Sequence, residues 1–226
     1  ARRLRFLKHG GLDAVNAPED IREGVEAGVV LGKSLVGGAG RQHDWFGAGE
    51  LFVGHAFGRR TLVFARGKAE GRWLERERRW DGVIAAGDLV TYHAVSERGV
   101  VVVGLSGAGG WDTSTPFQLL LAGSGGIRGY GYSALPVGRR VVAEAEHRYF
   151  LGTAFRAVDV GTVAFVDLAR GWKGPAPFGE DIAFAGSVGG GLRLAFPSGS
   201  KVTYRLDLAV PLTGRGGFEV RLGLRQ

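Results

Sequence analysis

The clearest pattern in the sequence is the alternation of apolar and polar side chains along Val202-Thr203-Tyr204-Arg205-Leu206-Asp207-Leu208-Ala209-Val210. One face of this stretch carries the valines, the tyrosine and the leucines, and the other carries threonine, arginine, aspartate and alanine. A period of two residues is typical of a β-strand whose two faces meet different surroundings. After a short break the pattern returns at Phe218, Val220, Leu222 and Leu224, with Glu219 and Arg221 between them.

Similar runs fill most of the chain and predict about eleven strands. Most of the links between them are rich in turn residues, so we expect consecutive strands to pair antiparallel in an up-and-down meander. Helical spacing is scarce, and only residues 17–23, with Pro18 near their start, resemble a helical or turn-like segment. The predicted strands lie near residues 2–9, 21–34, 44–57, 61–74, 79–95, 99–108, 139–151, 155–169, 182–196, 201–211 and 218–225.

The composition narrows the class of protein. With 226 residues, 45% of them apolar, the chain is too hydrophobic to be intrinsically disordered. No run approaches the roughly 18 to 20 apolar residues of a membrane-spanning helix. The net charge is +7, but the basic residues are scattered, unlike those of a nucleic-acid-binding surface. We therefore expect one folded all-β domain over residues 1–226 and no nucleic-acid partner.

Two architectures would place the alternating faces differently. A soluble sandwich or carrier barrel turns its apolar face inward, whereas a transmembrane β-barrel turns it toward lipid. Long strands, glycine and alanine on the apolar face, and aromatic residues near strand ends, such as Trp45 and Trp111, favour the second. We predict an antiparallel up-and-down transmembrane β-barrel of about twelve strands, or the C-terminal part of a barrel of about sixteen.

One connection, residues 111–138, is much longer than a hairpin link and longer than structureless loops usually are in compact domains. Its apolar and aromatic content argues against a solvated tail. The glycines beside Ile127, Arg128 and Tyr130 allow positive φ angles and close backbone approach. We expect this loop to fold into the barrel lumen and to direct Arg128 at an acidic wall.

The stretch Gly126-Ile127-Arg128-Gly129-Tyr130 resembles a loop motif of the BamA/TamA superfamily of outer-membrane assembly proteins, also called the bacterial surface antigen family. The resemblance covers the C-terminal half of the chain, whereas the first hundred or so residues match only in strand rhythm. Further motifs similar to that family follow in the same order, at residues 144–150, 161–167, 189–193 and 204–212.

The resemblance implies that Arg128 of the loop motif Ile127, Arg128, Gly129 and Tyr130 enters the lumen. There it is expected to pair with Asp167 and with Glu146 or Glu144. The alternation around Asp167 agrees, since Asp159, Gly161, Val163, Phe165 and Asp167 share one strand face.

The resemblance also implies insertion or translocation of proteins at an outer membrane. The expected partners are outer-membrane lipid, client proteins, and a periplasmic or passenger domain N-terminal to this chain. Two alternatives remain open. One is a barrel that serves as an anchor or a pore, for lipid, small solutes or a passenger such as a patatin-like lipase. The other is a soluble carrier barrel.

Catalytic and cofactor patterns are weak. The stretch Gly104-Leu105-Ser106-Gly107-Ala108 lacks the last glycine of a serine-hydrolase elbow. The five histidines have no metal-ligand spacing, and the glycine runs lack the lysine and hydroxyl residue of a phosphate loop. We predict no enzymatic activity, no metal and no cofactor.

Overall fold

The computed structural model describes residues 1–34, 44–123, 126–131, 135–214 and 217–225. Thirteen strands form in these ranges, eleven of them long. They are β1 (Arg2–Gly10), β2 (Pro18–Lys33), β3 (Asp44–Phe57), β4 (Thr61–Leu74), β5 (Arg79–Ala94), β6 (Gly99–Trp111), β7 (Leu119–Leu120), β8 (Pro136–Val137), β9 (Arg139–Ala154), β10 (Val158–Trp172), β11 (Ile182–Ala195), β12 (Thr203–Pro211) and β13 (Glu219–Arg225).

The eleven long strands form one antiparallel sheet in the order of the chain. Each pairs with its sequence neighbour, and β6 pairs with β9 across the long connection, where β7 and β8 form a separate two-stranded ribbon. Strands β1 and β13 stand at the two ends of this order. The predicted all-β class and antiparallel meander are confirmed.

The expectation of a helical or turn-like segment at residues 17–23 is wrong. Pro18 begins β2, and residues 18–26 pair with β1. The acidic residues that suggested a helical first turn, Glu19 and Asp20, instead lie opposite His9 and Lys8 in the ladder, and a pair of opposite charges such as Lys8 and Asp20 stabilises a strand pair. The apolar repeat that a helix needs does not follow them.

The two faces of the sheet differ in exposure and polarity, most clearly on β10 and β12. Asp167 on β10 is only 2% exposed, while Leu208 on β12 and Leu222 on β13 are 44% and 75% exposed. We call the face that carries Asp167 the inner face. Alternation along β10 and β12 follows the predicted facing: Asp159, Asp167 and Asp207 lie inward together with Val163 and Phe165, and most of the outward residues are aliphatic.

The two ends of the sheet differ in their connections. At what we call the turn end, strands are joined by residues 11–17, 58–60, 95–98, 155–157 and 196–202. At the opposite end, the loop end, the connections are residues 34–43, 75–78, 112–138, 173–181 and 212–218.

The buried apolar residues form two main clusters. The loop cluster packs part of the long connection against β9, β10 and β11 and includes Leu121, Ile127, Val137, Val142 and Ile182. The turn cluster packs Leu12 of the β1–β2 connection against Leu62, Tyr92 and Val102.

Within the described ranges, the structure holds no helix long and apolar enough to cross a membrane.

Candidate functional site

A cavity of about 1100 Å³ lies against the inner face of the sheet. Residues from β2 at one side of the sheet to β13 at the other line it, so the sheet curves around this space. Most of the side chains that line it are charged. They include Arg22, Glu26, Glu50, Arg66, Lys68, Asp88, Arg128, Arg140, Glu144, Glu146, Arg148, Arg205, Asp207 and Arg221.

The long connection reaches this cavity because apolar side chains hold it on the inner face. Ile127 is fully buried in the loop cluster, and its N–H donates to the carbonyl oxygen of Leu121 at 2.9 Å. Gly129 has a φ of 87° and approaches the backbone of Pro211 so closely that a Cβ atom would lie 3.3 Å from the Pro211 nitrogen. Glycine is required here both for the left-handed backbone and for the space.

Arg128 lies between three acidic strand residues. Its Nε and Nη2 atoms donate to the two carboxylate oxygens of Asp167 at 2.7 and 2.6 Å, and its backbone N–H donates to Oδ2 of the same residue at 3.1 Å. Nη1 donates to Glu146 Oε1 at 2.8 Å and lies 3.6 Å from Asp207 Oδ2. This forked pairing fixes the orientation of the guanidinium plane as well as its position.

The third element of the site is an aromatic ring. The guanidinium carbon of Arg128 lies 3.4 Å from the ring centroid of Phe165, which is two residues before Asp167 on the same strand face. One strand therefore supplies both a π surface and a bidentate carboxylate to the same cation. A Cβ atom at Gly189 would collide with the Phe165 ring, and one at Gly191 would collide with Asp207. The glycine run of β11 makes room for these two partners.

The ion pairs of the Arg128 site are buried. The Arg128 side chain is 6% exposed and that of Asp167 2%. Burial alone would lower the pKa of Arg128, but the hydrogen bonds and charges of Asp167 and Glu146 outweigh it and raise this pKa above its usual value. Arg128 is therefore a permanent cation, and removing it would leave buried carboxylates uncompensated.

A second arginine extends the network toward the turn end. Arg148 donates from Nε to Glu146 Oε2 at 2.8 Å and from Nη1 to Asp13 Oδ1 at 2.9 Å. The hydroxyl of Tyr92 on β5 donates to the same Asp13 carboxylate at 3.1 Å. The β1–β2 connection is thus tied to two different parts of the sheet, and the Arg128 site is continuous with that tie through Glu146.

The tip of the long connection is also anchored to the last strands. The hydroxyl of Tyr130 donates to the carbonyl oxygen of Gly186 at 2.7 Å and lies 2.7 Å from Thr213 Oγ1. The N–H of Gly129 donates to Glu219 of β13. These contacts link the loop to β11, to β13 and to the segment between β12 and β13.

The structure brings together most of the residues that the sequence singled out. Ile127, Arg128, Gly129 and Tyr130 all lie on the inner face, and Arg128 contacts both Asp167 and Glu146. The sequence left Glu146 and Glu144 as alternatives. Arg128 bonds Glu146, whereas Glu144 is exposed and lines the large cavity on the same face.

The sequence reasoning missed the roles of Phe165, Asp207 and Asp13. Phe165 and Asp207 could have been suspected, because each lies on a charged inward face within a motif already noted. Asp13 gave no signal, since its contact with Arg148 joins residues that are 135 positions apart.

The described residues show no group of three or more histidine, aspartate or glutamate side chains arranged to hold a metal ion. Ser106 lies in the middle of β6 and not on a strand-to-helix turn, where a hydrolase elbow would expose it. The chemistry that the site supports is ionic and structural: it holds a loop against one wall of the cavity. Compared with known proteins, the chain matches no family model, no curated protein and no solved structure.

Proposed function

We propose that this chain forms the transmembrane β-barrel of an outer-membrane protein of the BamA/TamA type, which takes part in the insertion or translocation of proteins. The inverted polarity supports the membrane environment. An outer surface with Leu208 and Leu222 exposed suits lipid, while an ionic inner face suits an aqueous lumen.

The distribution of aromatic residues supports the same environment. All five tryptophans lie within two residues of a strand terminus at the loop end: Trp45, Trp73, Trp80, Trp111 and Trp172. Exposed aromatic residues at the turn end include Phe57, Tyr149 and Tyr204. Two aromatic belts at the ends of an apolar band match the two interfaces of a bilayer. Because outer-membrane barrels have short periplasmic turns, we assign the turn end to the periplasm.

The single observation that carries the assembly role is the buried Arg128 loop. Its arginine is bonded to Asp167 and Glu146 and stacked on Phe165, so the loop braces the wall formed by β9, β10 and β12. In the proposed mechanism the braced wall stays fixed while strands at the ends of the sheet order open toward lipid. An exposed strand edge could then pair with a strand of a client protein.

A second candidate function is that of a pore or anchor. The cavity of about 1100 Å³ and its charged lining favour it, because such a space holds water and ions rather than lipid. A pore would need this cavity to be open at both ends, whereas an assembly role would need a movable strand edge.

The test is the folding of a client in vesicles that contain the chain. We expect a urea-denatured small outer-membrane barrel to fold faster in these vesicles than in empty ones, and Arg128→Ala to remove the acceleration. Equal rates with and without the chain would refute the assembly role. Ion conductance in a planar bilayer, if it accompanied equal rates, would favour the pore. A chain that folds in water without detergent would refute both.

A further inference from the structure

A groove of about 390 Å³ lies on the outer face near the loop end. Its floor is made of small residues from β5 and β6, namely Ala85, Gly87 and Gly107. Its walls are Trp111, Val141 and Trp172. The volume falls within the roughly 300–1,000 Å³ that is usual for small-molecule sites.

The groove exists because small residues of neighbouring strands are in register. Gly87 pairs with Gly107, and Gly107 pairs with Val141 on the next strand. A Cβ atom added at position 107 would meet its nearest neighbour, the carbonyl oxygen of Arg140, at an ordinary 3.7 Å, so a side chain there has room to start into the groove. The depression is therefore set by side-chain size and not by backbone distortion.

The basic side chain of Arg139 lies in the part of the groove closest to the loop end of the sheet. Arg139 lies opposite Gly109 in the strand ladder. Because Gly109 has no side chain, the side chains of Arg139 and Trp111 both occupy the space above it. The guanidinium carbon lies 5.1 Å from the Trp111 ring centroid, and Nε donates to the carbonyl oxygen of Gly110 at 3.2 Å. Arg170 lies in the same way 5.0 Å from the ring of Trp172. None of the described residues that line the groove is acidic.

We propose that this groove binds one acyl chain of an anionic, phosphate-bearing lipid of the outer leaflet, whose phosphate is held by Arg139; phosphatidylglycerol serves below as the probe of that chemistry. The inference rests on the proposed membrane location. The apolar groove lies on the lipid-facing side, and tryptophans usually lie at the depth of the headgroups. A half-buried arginine at that depth, already oriented by an indole ring, complements a phosphate, and the apolar floor below it complements a hydrocarbon chain.

The test is a lipid titration of the chain refolded in non-ionic detergent micelles, with native mass spectrometry to count bound lipids. We expect the first phosphatidylglycerol to bind about fivefold more tightly than the first phosphatidylcholine, the contribution of one basic residue near a membrane surface. Arg139→Gln should abolish this preference by weakening phosphatidylglycerol more than phosphatidylcholine, since the choline ammonium group already offsets the phosphate charge of the second lipid.

Gly107→Leu should weaken the binding of both lipids at least tenfold, about the loss expected when two methylene groups lose their contacts. The matched control is Ala164→Leu, which enlarges an exposed outward residue of β10 that does not line the groove. It should change neither affinity. Retention of the folded band on unboiled gels shows that each variant is folded. If Gly107→Leu fails to fold, the lipid preference of Arg139→Gln still decides the test.

Equal affinity of the unchanged chain for the two lipids would overturn the proposal, as would equal weakening by Ala164→Leu and Gly107→Leu. A chain that enters micelles but shows either result refutes only the groove. A chain that needs no detergent refutes the membrane location itself, so the two failures are distinguishable.

Discussion

The wall of β9 to β12 and the wall of β2 to β5 both carry arginine and carboxylate side chains on the inner face, but they hold them differently. In the first wall, Arg128 bonds Asp167 at 2.6 Å with side chains 6% and 2% exposed. In the second, Arg66 lies 3.3 Å from Asp88 with side chains 59% and 36% exposed. The same kind of ion pair is dry in one place and solvated in the other.

This difference separates a rigid wall from a compliant one. Breaking a buried pair leaves a charge without water and without a partner, whereas breaking an exposed pair returns both charges to solvent. The wall of β9 to β12 is therefore committed to one loop position, and the Arg66–Asp88 pair of the other wall is free to separate. The proposed function, in which strands at the ends of the sheet order open while the opposite wall keeps its shape, needs such an asymmetry.

The largest expected effect comes from Arg128→Ala. We expect it to lower the free energy of unfolding by about 3–5 kcal/mol, because Asp167 stays buried without its cation and Glu146 loses one of its two hydrogen-bonded arginines and keeps Arg148. Arg66→Ala, the matched change in the other wall, should cost at most about 1 kcal/mol. Urea unfolding in detergent micelles, followed by tryptophan fluorescence, measures both.

A double-mutant cycle shows whether the loss caused by Arg128→Ala comes from its interaction with Asp167. The double variant Arg128→Ala/Asp167→Ala should lose much less free energy of unfolding than the sum of the two single losses, since each change removes the same interaction. The cycle of Arg66 and Asp88 should be close to additive. Additive losses at Arg128 and Asp167 would contradict the idea of a braced wall.

A smaller effect tests whether the stabilisation depends on the residue that contacts Arg128 or on any carboxylate of the same strand face. Glu146→Gln should cost about 1.5–3 kcal/mol, because Glu146 accepts charged hydrogen bonds from both Arg128 and Arg148. Glu144→Gln, two residues earlier on the same face of β9, should leave the free energy of unfolding nearly unchanged. The same unfolding assay compares the two, and similar losses would mean that the charge of the cavity, and not the loop contact, stabilises the wall.

The strands and their facing could be predicted from the sequence because a period of two residues is a local property. The alternation around Leu208 and Asp167 already assigned them to opposite environments. The link between Arg128 and Asp167 was expected from the loop motif and the facing of β10 together. The facing needed only neighbours along one strand, whereas the pairing of Arg128 with Asp167 was what the resemblance of the loop motif implied.

The rest depends on where strands and loops meet. Glu144 and Glu146 share a face, and only the depth to which the loop enters selects Glu146. The contact between Arg148 and Asp13 depends on how the β1–β2 connection turns under the sheet. The helical reading of residues 17–23 failed for a similar reason, because partners in β1 outweighed a local signal. Register and loop path are tertiary properties that spacing alone does not encode.

The smallest expected effect concerns the space that Gly189 leaves for the ring of Phe165, which stacks on Arg128. Gly189→Ala should cost about 1–3 kcal/mol, because the new methyl group would collide with the Phe165 ring and the carbonyl oxygen of Leu208, and thereby displace the ring that stacks on Arg128. The control is Gly223→Ala on β13, where an added Cβ meets nothing within 4 Å, and it should stay within about 0.5 kcal/mol. In an Arg128→Ala background the cost of Gly189→Ala should shrink, since Phe165 then has no cation to hold in place. An undiminished cost there would mean that the collision with the Leu208 carbonyl oxygen, and not the displacement of Phe165 from Arg128, sets the loss.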